Sequence, residues 1–362
     1  MRDFLHALLL VLCLFLTAQV SGAVTGKTVS TRIINFPAKG VGKYYIEEGE
    51  KPFLAQWPEI ASRKLAKGRV VVPAEAVIVV ETYWCTGDCI PELRFMKPAD
   101  IQSLDVDGSI LTHDSFKQIS RLTGLKTLTL DGTDADDRDV EFISTRMPSL
   151  KSLNLGYTKV TDRAMASIAK MRSLRSLSLQ KNAISAKGLT HLAKNQTLAE
   201  IDFKATSIND DALPILSRMS SLSVLNFAKT KISDKGLSHL LTLPSIRKLD
   251  LSGTAVTDSG VRDVLAKLKN LEELNLSGTK VTDAGLAHLA NLKHLRKLWL
   301  RELHAVSDAS VPALSGLSSL VDLELQKTNI TQRGIQILAN ALPQSEVHSK
   351  ALCKCRTKTR VN

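Results

Sequence analysis

The sequence predicts an α/β solenoid, in which short parallel strands lie side by side and short helices cover the opposite surface. Three observations predict it. Residues 271–294 contain a strand-like pattern of leucines followed, after a turn, by a helix-like pattern of leucines. The same pattern recurs along most of the chain. A single unit of this size cannot bury both of its apolar faces, so successive units must stack on one another.

The unit is clearest in residues 271–294, which read LEELNLSGTKVTDAGLAHLANLKH. Its first six residues have the form L-x-x-L-x-L, which is typical of the strand in a leucine-rich repeat. Thr282-Asp283 predicts the N-cap of a helix. The residues that follow place three leucines on one stripe of that short helix, and these are Leu286, Leu289 and Leu292.

Ten such units follow one another at a spacing of 24 or 25 residues, within the range of leucine-rich repeats. We therefore expect residues 101–347 to form a leucine-rich repeat solenoid. In such a right-handed horseshoe, parallel strands line the concave face and short helices lie on the convex face. The units begin at Ile101, Leu125, Leu150, Leu174, Leu198, Leu222, Ile246, Leu271, Leu295 and Leu320.

An apolar run at residues 4–16 lies near the start of the chain and is followed by the small residues Ser21-Gly22-Ala23. This is the pattern of a secretory signal peptide over residues 1–23, with cleavage expected after Ala23. An uncleaved anchor is the alternative, but this run is shorter than the roughly 20 residues that span a bilayer. The sequence thus predicts an exported protein, located in the periplasm, the cell envelope or the extracellular space.

Residues 24–100 do not follow the repeat and are expected to form an N-terminal region and cap. Runs of β-forming residues at 70–72 and 76–80 predict two strands, and residues 60–66 are compatible with one or two helical turns. The end of a repeat stack exposes apolar core and needs a cover. Residues 69–100, which include Trp84, suit that task. A separate catalytic domain is the alternative, but the segment offers little chemistry.

Four cysteines follow the expected signal peptide, in two pairs. In an oxidising compartment, a disulfide between Cys85 and Cys89 is the plain expectation. A disulfide within Cys353-Lys354-Cys355 would be strained, so these two are expected to pair with another chain or to stay free. A four-cysteine zinc site is the alternative. However, nine strand spacings of about 4.8 Å would separate the two pairs by roughly 43 Å.

The net charge is +12, and residues 348–362 form a basic tail without an acid. Such a tail could bind an anionic polymer. A nucleic-acid surface would need basic residues clustered on one face together with aromatic residues. The repeats instead alternate charge signs, and aromatic residues make up only 4% of the chain, so nucleic acid is not an expected partner. The cations of the tail are Lys350, Lys354, Arg356, Lys358 and Arg360.

Side chains on either side of the buried strand leucines point outward and tile the predicted concave surface, called the strand face below. Its amino-terminal columns are mostly small and neutral, whereas its carboxy-terminal columns are charged and include Trp299. A tryptophan beside two cations has the composition of an interface hot spot. The alternative is that the alkyl stems of its neighbours cover the ring. The predicted partner-binding residues, called the carboxy-terminal patch, are Lys248, Asp250, Glu273, Lys297, Trp299, Arg301, Asp322 and Glu324.

Polar residues that recur in every unit are expected to be structural. The threonines at one turn position should bond leftover backbone groups, and the Thr/Ser-Asp pairs should cap helices. His191, His239 and His288 share one position, but two repeat steps are about 9.6 Å, so no metal site is predicted. No Ser/His/Asp or Cys/His set and no glycine-rich phosphate loop can be identified. No catalytic residue, cofactor or small-molecule substrate is therefore predicted.

The unit L-x-x-L-x-L-S-G-T-x-V-T-D-x-G-L-x-x-L resembles the exported leucine-rich repeat proteins of bacteria. It is also similar to the repeat half of eukaryotic F-box leucine-rich proteins. The resemblance covers residues 101–347 and implies an interaction scaffold without enzymatic activity. A signal sequence, and no recognisable F-box helices ahead of the repeats, argue against a ubiquitin-ligase adaptor.

The leading hypothesis is an exported, non-enzymatic scaffold that binds a protein partner, of unknown identity, through the carboxy-terminal patch. An envelope-associated structural protein that uses its basic tail on an anionic polymer is the second hypothesis. An enzyme is the third hypothesis, and an F-box-like ubiquitin-ligase adaptor is a further alternative that the departures above disfavour.

Overall fold

The computed structural model describes residues 31–36, 43–47, 64–73, 76–82 and 90–349. The predicted signal peptide, Trp84, the Cys85–Cys89 disulfide and the basic residues from Lys350 onward lie outside these residues. The described strands are β1 (Thr31–Phe36), β2 (Lys43–Glu47), β3 (Lys64–Leu65), β4 (Gly68–Pro73), β5 (Val77–Glu81), β6 (Ser103–Asp105), β7 (Thr127–Thr129), β8 (Ser152–Asn154), β9 (Ser176–Ser178), β10 (Glu200–Asp202), β11 (Val224–Asn226), β12 (Lys248–Asp250), β13 (Glu273–Asn275), β14 (Lys297–Trp299), β15 (Asp322–Glu324) and β16 (Glu346–His348).

Fourteen of these strands form one sheet, whose order from β16 down to β5 is the reverse of the chain order. Each neighbouring pair from β5 to β16 is parallel. One strand per repeat, hydrogen-bonded to the strands before and after it, is the topology of a solenoid. The predicted leucine-rich repeat fold is therefore confirmed.

Short helices connect successive strands. Most have one or two turns, because a 24-residue coil leaves little chain once the strand and its two turns are formed. The α-helices span His113–Ile119, Asp137–Arg146, Met165–Ile168, Ala186–Leu189, Leu213–Leu216, Asp234–Leu237, Asp258–Asp263, Asp283–Leu286, Val311–Ser315 and Gln332–Ala341. The 3-10 helices span Pro91–Phe95, Asp162–Ala164, Asp210–Ala212, Ser238–Thr242, Leu265–Lys267, Ala287–Asn291 and Asp308–Ser310.

One continuous hydrophobic core runs along the stack from Ile34 to Leu342. The middle residue of each strand from β6 to β15 is a leucine or isoleucine that lies in this core. Because successive side chains of a strand point to opposite faces, the residues flanking each buried leucine form the strand face. The partner-binding columns predicted from the sequence thus lie where the pattern indicated.

The N-terminal region extends the sheet past the first repeat. Strand β5 pairs in parallel with β6, while β2 pairs antiparallel with β5 and with β3. Strands β1 and β4 form a separate antiparallel pair, which Arg32 joins to the stack by donating hydrogen bonds to Ala76 O and Gln102 Oε1. Strands β4 and β5 match the two predicted strands. Lys64-Leu65 is extended, so the expectation of helical turns is wrong at these residues.

The carboxy-terminal end of the sheet reaches further than the repeat pattern indicated. Strand β16 pairs in parallel with β15, with His348 opposite Glu324. The sequence pattern had ended at Val347 and assigned His348 to the tail. His348 therefore lies on the sheet, beside two members of the carboxy-terminal patch.

A hydroxyl at one turn position closes most of the coils. Thr254 Oγ1 donates a 2.6 Å hydrogen bond to the carbonyl of Leu251, and Thr254 is buried. In one unit Asn182 replaces the threonine and donates to the carbonyl of Leu155. The structural role predicted for these residues is confirmed. The equivalent donors are Thr133, Thr158, Thr206, Thr230, Thr279 and Thr328.

In most units an aspartate joins the unit to the next one. Asp258 Oδ1 accepts the backbone N–H of Thr282 at 2.7 Å, and Asp258 Oδ2 accepts the Thr282 hydroxyl at 2.6 Å. Thr282 Oγ1 in turn accepts the N–H of Ala284 and caps the following helix, as predicted. We call this series the aspartate ladder. Its other members are Asp137, Asp162, Asp210, Asp234, Asp283 and Asp308.

The glycine of the T-D-x-G motif follows from the ladder. A Cβ on Gly285 would lie 2.2 Å from Asp258 Oδ1, which is closer than two such atoms can approach. The corresponding distances at Gly188, Gly236, Gly260 and Gly334 are 2.4, 2.7, 2.3 and 2.3 Å. The motif therefore encodes contact between units as well as the start of a helix.

One link of the ladder is missing. Ala186 stands where the units before and after it carry Asp162 and Asp210, and Asn209 of the next unit has no side-chain capping hydrogen bond. Ala212 takes the place of the glycine there.

Candidate functional site

The structure brings the carboxy-terminal patch together on the strand face. Seven of its eight residues lie on four adjacent strands, β12 to β15, and Arg301 follows β14 by two residues. Two registered rows cross these strands. The first row is Lys248, Glu273, Lys297 and Asp322, and the second is Asp250, Asn275, Trp299 and Glu324.

Glu273 links the two lysines of the first row. Its Oε1 lies 3.1 Å from Lys248 Nζ and 3.3 Å from Lys297 Nζ. All three side chains are partly exposed to solvent, so the attraction is screened and contributes little to stability. The main effect is on geometry, because one carboxylate holds the ammonium groups of the two neighbouring strands in place. The three groups together carry a net positive charge.

Trp299 lies on the strand face and is half-buried. Lys297 Nζ lies 6.0 Å from the centroid of the ring, at the outer limit of a cation–π contact. In the register, Asn275 and Glu324 flank the tryptophan on the two neighbouring strands. The neighbours thus cover part of the ring and leave an apolar surface that a partner could bury.

Asp250 is engaged within the protein. Its Oδ1 accepts the N–H of Ser252 at 2.8 Å, and its Oδ2 accepts Nδ2 of Asn275 at 3.0 Å. Several other residues of the same column accept the N–H two positions further on, so this contact belongs to the repeat. Asp250 is therefore less available to a partner than its position in the charged columns suggested. The residues that share the contact are Asp105, Asn154, Asp202, Asn226 and Asn275.

Arg301 is exposed, and within the described residues its guanidinium has no hydrogen-bond or ion-pair partner. It lines an open groove of about 560 Å³ at the edge of the strand face, where the strands end. The glycines at 253 and 278 have φ values of +66° and +64°, and they occupy the turn position that bears side chains in neighbouring units. Their missing side chains create the groove. Its other lining residues are Lys229, Ser252, Asn275, Ser277, Glu302, Gln326 and Lys327.

The groove is net positive. Glu302 pairs with Lys327, and the hydrogen bond and charge of Lys327 lower the pKa of Glu302. Lys229 and Arg301 have no ion-pair partner among the described residues and face the solvent. The sequence pattern missed the groove because Gly253 and Gly278 lie in turns, outside the strand columns on which the prediction was based.

His348 adds an imidazole to the end of the patch. Its Nε2 lies 3.6 Å from Asp322 Oδ1 and 3.6 Å from Glu346 Oε2. Asp322, Glu324 and His348 could hold one metal ion, since a ligand atom of each lies within 4.8 Å of the other two. The sequence pattern missed this arrangement because it placed His348 in the tail.

Two further acids of the strand face precede the carboxy-terminal patch: Asp105 on β6, outside the predicted columns, and Asp202 on β10, within them. Burial raises the pKa of Asp105 to about 7, against a lowering by the backbone hydrogen bond from Asp107, and the neighbouring acids raise it further. Burial likewise raises the pKa of Asp202 to about 6, against the hydrogen bond from Lys204. These carboxyl groups are buried within the stack, whereas those of the carboxy-terminal patch lie on its surface.

Comparison with known proteins supports the fold. Four segments match the family described as Leucine Rich repeat, at residues 146–169, 170–193, 242–264 and 267–290. The chain thus contains leucine-rich repeats. No curated protein matches the chain.

Solved structures similar to this chain include two bacterial proteins. An internalin from Listeria monocytogenes aligns with a TM-score of 0.50 at 19% identity, over 78% of this chain and 89% of that one. A leucine-rich repeat protein from Leptospira interrogans aligns with a TM-score of 0.42 at 18% identity, over 69% of this chain and 72% of that one. At these identities the internalin similarity concerns the fold alone.

Among the described residues, no helix is long and apolar enough to cross a bilayer.

Proposed function

We propose that this protein is an exported, non-enzymatic scaffold that binds a protein partner through the carboxy-terminal patch. The observation that carries the proposal is Trp299, a half-buried ring on a mostly polar strand face, two residues before Arg301, whose guanidinium has no partner among the described residues. Tryptophan and arginine are enriched among the residues that dominate interface energies. Leucine-rich repeat proteins of this architecture commonly act as protein-binding scaffolds.

The charges around Trp299 favour a partner with mixed charge. Glu273 already pairs with both Lys248 and Lys297. A partner that covers these residues would therefore not bury three isolated charges. Fully unpaired charges are costly to bury, whereas paired charges with satisfied hydrogen bonds are less so. Arg301 and the groove add an uncompensated positive region at the edge, which suits acidic side chains at the rim of the partner's surface.

Export rests on the signal-peptide pattern of residues 1–23. If it is correct, the mature protein recovered from the secreting organism begins at Val24. Mass spectrometry of the intact mature chain measures this directly. Recovery of the full 362-residue chain from the cytosolic fraction would contradict export.

The binding proposal is tested by capture from the secreted or periplasmic fraction, followed by affinity measurement with the purified partner. We expect Trp299→Ala combined with Arg301→Ala to weaken binding at least about tenfold, as for the loss of a hot spot. Tyr157→Ala is the matched control, because Tyr157 is an exposed aromatic residue in an amino-terminal repeat. Equal affinities for the parent and the double variant would refute the patch as the binding surface.

The basic tail supports a separate proposal of binding to an anionic polymer. Because His348 belongs to β16, the deletion that tests it should begin at Lys350 and leave the sheet intact. Retention on an anionic matrix that falls with salt in the parent and is lost in the truncated chain would support tail binding. Retention that is the same in the truncated chain would mean that the repeats, and not the tail, bind the matrix. The absence of retention in both chains would exclude binding to it.

A further inference from the structure

We propose that Asp322, Glu324 and His348 bind one divalent transition-metal ion, with zinc as the preferred ion, at the carboxy-terminal end of the strand face. This site goes beyond the scaffold function and does not depend on it, because metal binding can be measured without any partner. Three observations support it. They are the positions of the ligand atoms, the lack of hydrogen-bond donors to two carboxylate oxygens within the described structure, and the contrast with a second cluster in the same chain.

The positions follow from the sheet. Asp322 and Glu324 are two residues apart on β15 and therefore point to the same face, and His348 is the register partner of Glu324 on β16. Ligands about 2.1 Å from a tetrahedral zinc ion lie roughly 3.4 Å from each other. Asp322 Oδ1 and His348 Nε2 are 3.6 Å apart. That distance is too long for a good hydrogen bond but close to the separation of two ligands of one ion.

The carboxylate oxygens lack donors. Asp322 Oδ1 and Glu324 Oε2 are each shielded from solvent, and neither accepts a hydrogen bond within the described structure. A shielded acceptor without a partner is costly, and two neighbouring carboxylates in addition repel each other. Glu273, in the same row as Asp322 but two strands away, has two lysines at its Oε1. A bound cation would satisfy both oxygens of the proposed site at once.

A second cluster of the same composition shows what a purely structural arrangement looks like. Asp136 Oδ1 accepts two backbone N–H groups at the start of a helix, and Asp139 Oδ2 accepts the N–H of Asp136. Asp139 Oδ1 bonds His113 Nδ1 at 2.7 Å, a normal hydrogen-bond length. The facing oxygens of this cluster are thus engaged by donors. The proposed site differs in having two shielded oxygens without donors.

The ligand set indicates the class of metal. One imidazole and two carboxylates suit zinc and other first-row divalent ions, whereas calcium and magnesium prefer oxygen ligands alone. Glu346 Oε2, at 3.6 Å from His348 Nε2, lies within reach as a fourth ligand. His348 is 41% exposed, so an ion can enter from solvent.

The experiment measures zinc binding to the full mature chain by competition with a chromophoric chelator. Cys353→Ser and Cys355→Ser are introduced as the common background, because the tail thiols are themselves zinc ligands. We expect one equivalent of zinc to bind to this background. His348→Ala and Glu324→Gln should each weaken it at least about tenfold, and His304→Ala, which removes an exposed histidine outside the site, should not.

A further variant separates loss of a ligand from loss of folding. His348→Cys replaces the imidazole by a thiolate, which is also a zinc ligand, and should restore much of the affinity lost in His348→Ala. Circular dichroism of each apo variant should match the parent. Failure to bind zinc stoichiometrically would overturn the proposal. Equal affinity in the background and in His348→Ala would also overturn it.

Discussion

The aspartate ladder and the carboxy-terminal patch use the same functional group in different ways. Asp258 of the ladder holds two donors of the next repeat within 2.7 Å. Glu324 of the patch has a shielded oxygen that accepts nothing within the described structure. A polar residue that recurs at the repeat spacing is engaged within the stack, by its own repeat or by the next one. One that departs from the column, as Trp299 and Glu324 do, is available for another partner.

The largest effect should come from breaking the ladder. Asp258→Ala removes both acceptors of Thr282 and leaves its backbone N–H without a partner, so we expect the free energy of unfolding to fall by about 3 kcal/mol. Asp211→Ala is the matched control, because Asp211 is an exposed aspartate that serves only the side chain of Asn209. Urea denaturation of both variants measures the difference. Equal, small losses would show that the ladder does not hold the repeats together.

A buried acid of the strand face should contribute less to the stability of the folded protein as the pH rises, whereas an acid that is paired with donors contributes more. Burial raises the pKa of Asp202 to about 6 from 3.8, so its contribution to stability is complete below about pH 4 and is lost as the pH rises through 6. Asparagine occupies the same column at Asn226 and can accept the same N–H from Lys204. We therefore expect Asp202→Asn to stabilise the protein by about 2 kcal/mol at pH 8.

The same substitution should have little effect at pH 4, where Asp202 is mostly protonated in the folded protein. Melting temperatures of the parent and Asp202→Asn across this range give the comparison. A stability difference that stays constant with pH would mean that the buried carboxyl group is not the cause.

A smaller effect is expected from the turn hydroxyls. Thr254→Val keeps the shape of the side chain but removes the hydrogen bond to the carbonyl of Leu251, and should cost about 1 kcal/mol. Thr190→Val is a useful control, because the Thr190 hydroxyl bonds a helix carbonyl at an exposed position. Denaturant midpoints of the two variants measure both effects. If Thr190→Val lost as much stability as Thr254→Val, the buried turn hydroxyl would contribute no more than an exposed one.

The smallest effect on stability should accompany the largest effect on binding. Arg301→Ala removes an exposed side chain without a partner among the described residues, so the free energy of unfolding should change by less than about 0.5 kcal/mol. The affinity for the protein partner should nevertheless fall. A variant that lost stability but kept affinity would reverse the assignment of Arg301 to the patch.

The sequence pattern alone predicted the repeat spacing, the inward leucines, the turn threonines and the helix caps, because each depends on residues close together in the chain. It missed the contact between Asp258 and Gly285, which joins residues in different units, although the recurrence of T-D-x-G was visible. His348 was missed because a single added strand carries too few residues for a pattern. The burial of Asp105 was missed because it depends on β5, which lies outside the repeat.

The missing link at Ala186 and Asn209 has a mechanical consequence. Each coil contacts only its neighbours, so the stability of the solenoid against local unfolding is set separately at each interface between coils. The weakest interface should open first. The chain would then open between its fourth and fifth coils into two blocks, and amide protons on either side of that boundary would exchange sooner than those deep within each block.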